Sequence, residues 1–268
     1  MVSIRLWFFA AGPVEGRTLT GSHAVGGTKI ELSFSLRHWC LWQSEQVSTQ
    51  QAWPGGQVLP VDGGSADVSF LPMMQRRRLS PLARAACAVA WRCRERAGDM
   101  PSVFFTHHGE SQYYFEMLQG MAAGEAVSPS RFSLCVHNAI AGLYSLQTGS
   151  VLPYVSLAGG TEGLFAAFIE ASGLLLEVPQ VLVVCYEQPL PEAYRAYLSV
   201  ENKTWALAMV LARPGASDYC LRLTREVVAD LDAPDQQQFD LIQAIVSGRQ
   251  SGFQQLEKSL WHWSLSNA

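Results

Sequence analysis

Charged side chains are scarce in this sequence. Asp, Glu, Lys and Arg make up 16% of its 268 residues, where ordinary soluble domains carry about 25%. Together with an apolar content of 49%, that scarcity excludes an intrinsically disordered chain. It also leaves much of the surface to be covered, by the chain itself or by a partner. An excess of basic residues is missing too. Nineteen Lys and Arg stand against 23 Asp and Glu, a net charge of −4, which argues against a nucleic-acid ligand.

Long hydrophobic runs are equally lacking. No stretch approaches the roughly 18 apolar residues of a membrane span. Met1 to Ala11 imitates a signal peptide, but Arg5 is its only charge and Gly12-Pro13 follows closely. A secretory segment wants roughly 7–15 apolar residues behind a basic start, so residues 1–30 read as a flexible, non-secretory leader. The six cysteines, Cys40, Cys87, Cys93, Cys135, Cys185 and Cys220, form no Cys-x-x-Cys pair. That pattern fits neither a disulfide framework nor a zinc site, and free thiols suit a reducing cytoplasm.

What is present alternates between strand and helix signals. Leu32, Phe34 and Leu36 alternate with polar residues, the mark of a half-buried strand over Glu31–Trp42. Residues 43–70, rich in Gln, Gly, Ser and Pro, read as a long loop. Ser80-Pro81 supplies an N-cap and a first-turn proline for a helix to Gly98. A short strand over 101–106 leads through His107-His108-Gly109-Glu110 into a helix carrying Tyr114, Met117, Leu118 and Met121. Ser128-Pro129 opens another helix through Phe132 and Val136 to Gly149. Residues 153–157 form a strand, Gly159-Gly160 a turn, and 162–176 a helix. The β-branched run Val181–Tyr186 reads as a strand buried on both faces. Residues 205–211 and 219–223 are expected to pair as an antiparallel hairpin, and a helical tail is expected from Phe239 to about Trp261. The chain is thus divided into the leader, a domain over 31–225 and a tail over 226–268. Such alternation predicts an α/β fold.

The segment from Arg76 to Pro191 is the most specific. Ser128-Pro129, Asn138, Gly142, Pro153, Ser156 and Ala158 stand in the order and spacing of the N-terminal half of the β-ketoacyl synthases, which this chain resembles from roughly Ser33 to Ala212. The combination of Val136-His-Asn-Ala with Glu187-Gln-Pro-Leu-Pro191 resembles the chain-length-factor subfamily associated with aryl-polyene-type polyketide synthases. The resemblance implies a thiolase-like fold, the ketosynthase N-terminal half, with a mixed five-stranded sheet flanked by helices. It implies no cofactor.

Two departures from the family shape the functional expectation. Ungapped counting from Asn138 puts Thr161 where a ketosynthase carries its acyl-accepting cysteine, and no cysteine lies between Val136 and Val184. A thiolate at a helix start is a ready nucleophile, whereas a hydroxyl needs a base, and the sequence offers no evident one. Residues 213–268 hold one histidine, His262, where the family places its catalytic pair. The resemblance therefore implies a pseudoenzyme: a chain length factor that heterodimerises with an active β-ketoacyl synthase, meets acyl carrier protein through that complex, and shapes the acyl tunnel. Tyr113, Tyr114, Met117, Phe132, Val136, His137 and Asn138 are the expected tunnel or interface residues. Taken singly, the Tyr113–Met121 stripe reads more readily as core.

Other readings stay open at this point. An acyltransferase or thioesterase-like enzyme would act through Thr161 or Cys135, and a self-associating structural protein would need no ketosynthase. Cys135 and His137, two apart, would point to different faces of a helix. His107-His108 could serve function or fill a turn, and a metal there would have only Glu110 as a further ligand. Arg76-Arg77-Arg78 would either steer an acidic carrier protein or pair with nearby carboxylates.

Overall fold

The computed structural model describes residues 29–45, 51–61, 63–158, 160–195, 203–216, 219–227, 240–256 and 258–267. The leader expected over 1–30 lies almost wholly outside them. Nine strands form one sheet: β1 (Ile30–Gln43), β2 (Gly56–Val58), β3 (Ser102–Phe105), β4 (Tyr154–Leu157), β5 (Gln180–Glu187), β6 (Trp205–Ala212), β7 (Tyr219–Val227), β8 (Ser251–Gln255) and β9 (Ser259–Asn267). Among the described residues eight α-helices accompany them: α1 (Met73–Arg76), α2 (Pro81–Ala97), α3 (Ser111–Ala122), α4 (Pro129–Phe132), α5 (Ala139–Thr148), α6 (Phe165–Leu174), α7 (Glu192–Arg195) and α8 (Asp240–Ser247). The strand order is β4-β3-β5-β6-β1-β7-β9-β8, with β2 beside β1. The trio β4-β3-β5 is parallel and the main path beyond it antiparallel, so the sheet is mixed as expected.

β1 spans 14 residues because it serves two neighbours on one side. Its first half pairs with β7 and its second with β2, while β6 lines the other side. Leu32, Phe34 and Leu36 belong to one core; past a register shift between Leu36 and His38, Trp39 and Leu41 take over the same face. An extra residue in a strand reverses its side-chain parity, which is why even-numbered apolar positions give way to odd ones.

Two cores follow, one on each face of the sheet. α2 covers the first with small side chains: Ala83, Ala85, Ala86, Ala88 and Ala90 are all buried, facing a core that includes Ala206 and Ala208 of β6. Ser80 caps this helix, its Oγ accepting from the Ala83 N–H at 2.8 Å. α6 and α8 fill the other face with Leu164, Phe165, Phe168, Leu241 and Ile245, against Val181, Val183 and the tryptophans of β9.

Five sequence expectations need correction. The sheet has nine strands rather than five. The helix expected through Trp261 ends at Ser247, and strands β8 and β9 follow. Ser259, Trp261, Trp263 and Leu265 are buried while His262 is exposed, a period of two that a helix cannot present. Because β9 pairs with β7, the boundary drawn at residue 225 falls inside one continuous sheet. β6 and β7 do not pair with each other; β1 lies between them. Finally, the single helix read from Ser128 to Gly149 is two helices, broken over 133–138.

Candidate functional site

In an open α/β sheet, ligand sites form where parallel strands end. Here β3, β4 and β5 end side by side, with Phe105 level with both Leu157 and Cys185. Extending that register by two residues brings Glu187 opposite His107. The Glu187 carboxylate is buried, 4% exposed. Its Oε1 accepts from the Thr106 hydroxyl at 3.1 Å and from the His107 backbone N–H, and lies 3.4 Å from His107 Nδ1. Thr106 Oγ1 also accepts from the Gly109 N–H at 3.0 Å, and His137 Nε2 donates to the Thr106 carbonyl at 3.0 Å. Burial holds the His108 imidazole below its usual range, against the pull of Glu187.

After β4 the chain enters a 3-10 turn, Gly160–Glu162, and then α6. Gly160 and Gly163 both take positive φ, 48° and 55°, conformations that favour glycine. A Cβ placed on Gly163 would sit 3.7 Å from Leu256 and 4.0 Å from His107 Cε1. The His107 ring therefore lies against this elbow. Glu162 fastens the elbow to the C-terminal strands. Its carboxylate accepts from Arg225 Nε at 3.0 Å to each oxygen, from Trp261 Nε1 at 2.8 Å and from Ser259 Oγ at 3.2 Å. Partial burial works against ionisation, yet these donors hold the carboxyl below its ordinary range. Thr161 occupies the turn between Gly160 and Glu162; its side chain lies outside the described set.

One level below, Glu110 joins the starts of α2 and α3. Its carboxylate accepts from Ser80 Oγ at 2.6 Å, and burial pushes its pKa up to about 7. Sequence reading named Glu110 only as a further ligand for a metal at His107-His108, and passed over the pairing of His107 with Glu187. The two members of that pair are 80 residues apart, and the only signal was that each directly follows an apolar strand run.

The expected interface residues lie elsewhere, on the outer side of α3, α4 and the linker to α5. Tyr114 is 47%, Phe132 54% and Val136 39% exposed; Tyr113 and Met117 are half-buried and Asn138 is exposed. No residue of α3 is buried, so the core reading of the Tyr113–Met121 stripe is corrected. The reason is packing: α3 lies mainly against the short α4 and contributes to neither core. Cys135 and His137 stand in the linker and not on a helix, and His137 is turned inward to Thr106. The Cys135 thiol donates to the Arg131 carbonyl at 3.3 Å, and burial raises its pKa, which makes it a poorer nucleophile. Among the described residues no cluster suited to a metal ion occurs, and Arg76, Arg77 and Arg78 form no ion pair.

A search of the curated proteins finds no match. Solved structures do match. A chain of the ketosynthase ApeO in complex with its chain length factor ApeC, from Xenorhabdus doucetiae, aligns with a TM-score of 0.70 at 22% identity over 87% of this chain and 99% of that one. The ishigamide ketosynthase/chain length factor aligns at 0.45 and 14% identity, over 62% of this chain and 54% of that one. A complex of AntDE with the acyl carrier protein AntF aligns at 0.49 and 13% identity, over 67% and 60%. The first likeness fixes the fold as thiolase-like. The family model for the β-ketoacyl synthase N-terminal domain matches residues 42–264, past the Ala212 limit of the sequence resemblance and through the C-terminal strands. On that match the chain belongs to the β-ketoacyl synthase N-terminal domain family.

Proposed function

We propose that the chain is a chain length factor: a subunit silent in condensation that pairs with an active β-ketoacyl synthase and walls off its acyl tunnel in aryl polyene or related polyketide assembly. One observation carries the reading. Of sixteen large apolar side chains that stand exposed among the described residues, nine fall between Tyr114 and Tyr154. The same stretch is nearly free of charge, since residues 111–158 include only Glu116, Glu125 and Arg131, and two of these pair with each other at 2.9 Å. Exposed apolar, charge-depleted segments of this kind suit an interface. β4 adds a sheet edge, because among the described residues it pairs only with β3, and open edges invite another chain.

On this reading Tyr113, Tyr114, Met117, Phe132, Val136, His137 and Asn138 lie at the interface or line the tunnel. Thr161 replaces the cysteine nucleophile, which removes condensation. Arg77 and Arg78, exposed beside Met73 and Met74, suit an acidic acyl carrier protein. Six free cysteines support work in a reducing cytoplasm. The test is the product of a co-expressed pair. Replacing Tyr114 or Phe132 by Gly removes a wall, so acyl chains should lengthen by one or more units; an unchanged length distribution in both variants contradicts the role.

A further inference from the structure

The sequence offers no base for chemistry at the elbow; the folded chain does. The His107 ring is set against Gly163, and Glu187 Oε1 lies beside its Nδ1. With Glu187 Oε1 3.4 Å from Nδ1, the proton of a neutral imidazole belongs on Nδ1, which leaves the lone pair on Nε2. That is how a carboxylate orients a histidine base. Two buried atoms remain unsatisfied here, His107 Nδ1 and Glu187 Oε2. Buried polar atoms left without partners call for an explanation, and hydrogen bonds among catalytic groups are often long until substrate arrives. The ring is also accessible, its side chain 17% exposed while that of Glu187 is 5%. Ring neighbours of His107 include Phe105, edge-on at 5.0 Å between ring centroids, and His108 at 5.9 Å.

We propose that His107, positioned by Glu187, is the general base of an acyl-thioester hydrolase site at the elbow, so that a subunit silent in condensation still releases acyl chains as free acids. The substrate class rests on the proposed function; the dyad does not. A water oxygen bonds to the thioester carbonyl carbon as its proton passes to His107 Nε2. The carbon–sulfur bond then breaks, and the proton moves on to the departing thiolate. One thioester and one water become one carboxylic acid and one thiol, with no oxidant or cofactor.

The test uses the full-length chain alone with hexanoyl-pantetheine, following thiol release. Wild type should turn the thioester over above the buffer rate. His107→Asn should lose about 100-fold or more in kcat with KM little changed and an unchanged circular dichroism spectrum. Glu187→Gln keeps an oxygen for Thr106 and the His107 N–H, and should lose rate while remaining folded. Two results overturn the proposal: a wild-type rate no faster than buffer, or a His107→Asn protein as active as wild type. Neither touches pairing with a ketosynthase, so the two readings fail separately.

Discussion

Replacing Glu110 by Gln tests the electrostatics of the buried turn. The carboxylate is 6% exposed and its single strong partner is the Ser80 hydroxyl. Burial raises its pKa from 4.5 to about 7. The raised value means that the folded state binds the proton more tightly than the unfolded one. The corresponding stability is full below about pH 4.5 and disappears as pH rises through about 7. At about 1.4 kcal/mol per pKa unit, the loss is on the order of 3 kcal/mol. Glutamine keeps an oxygen for the Ser80 hydroxyl and never ionises. Urea unfolding followed by tryptophan fluorescence should therefore find Glu110→Gln more stable than wild type by up to about 3 kcal/mol at pH 8.5, shrinking below about 1 kcal/mol at pH 5. His108 works in the opposite direction, since its lowered pKa removes stability as pH falls, but it is common to both proteins and cancels. An advantage that does not change with pH, or a variant weaker than wild type at pH 8.5, would refute the assignment of a strained buried charge to Glu110.

Three further outcomes follow from the same geometry. Trp261→Phe keeps the stack on Phe165, 4.7 Å between centroids, but loses the donor to Glu162; thermal unfolding should report a cost of about 1.5–3 kcal/mol, and a change under about 0.5 kcal/mol would assign the elbow's anchorage to Arg225 alone. Gly248 has φ of 72° and a Cβ there would lie 2.0 Å from the Gln51 carbonyl oxygen, so Gly248→Ala should destabilise by about 2 kcal/mol or more in the same unfolding assay, whereas a neutral result would mean the 51–54 loop yields freely. Arg77→Glu with Arg78→Glu should weaken binding of acyl carrier protein to the assembled pair and reduce its salt dependence, read by titration calorimetry at two ionic strengths; unchanged binding would free those arginines of that role.

Much of the fold was legible because strong local signals agreed with tertiary need. Ser80-Pro81 announces α2 and does cap it, and the β-branched run Val181–Tyr186 is buried on both faces as its composition demands. The C-terminal strands were misread although Trp261-His262-Trp263-Ser264-Leu265 alternates plainly, because the amphipathic turn of α8 just before it suggested that the helix continued. The pairing of β6 and β7 was misassigned for a different reason. Neighbours in sequence usually pair, but β1 is long enough to take both. The site was legible only in parts. The Gly-rich elbow and the His107-His108 turn could be marked, while their meeting depends on the parallel register of β3, β4 and β5, which no local pattern encodes. The exposed face shows the converse: the stripe of α3 looks like core in sequence because an exposed apolar face and an interior use the same residues.

Pairing with a ketosynthase is the claim on which the functional account turns, and the mass of the co-expressed species measures it directly. Native mass spectrometry of this chain purified with an active β-ketoacyl synthase should find a one-to-one heterodimer that Phe132→Asp with Val136→Asp splits into its two subunits. Two separate proteins from the wild-type pair, each at its own mass, would contradict it.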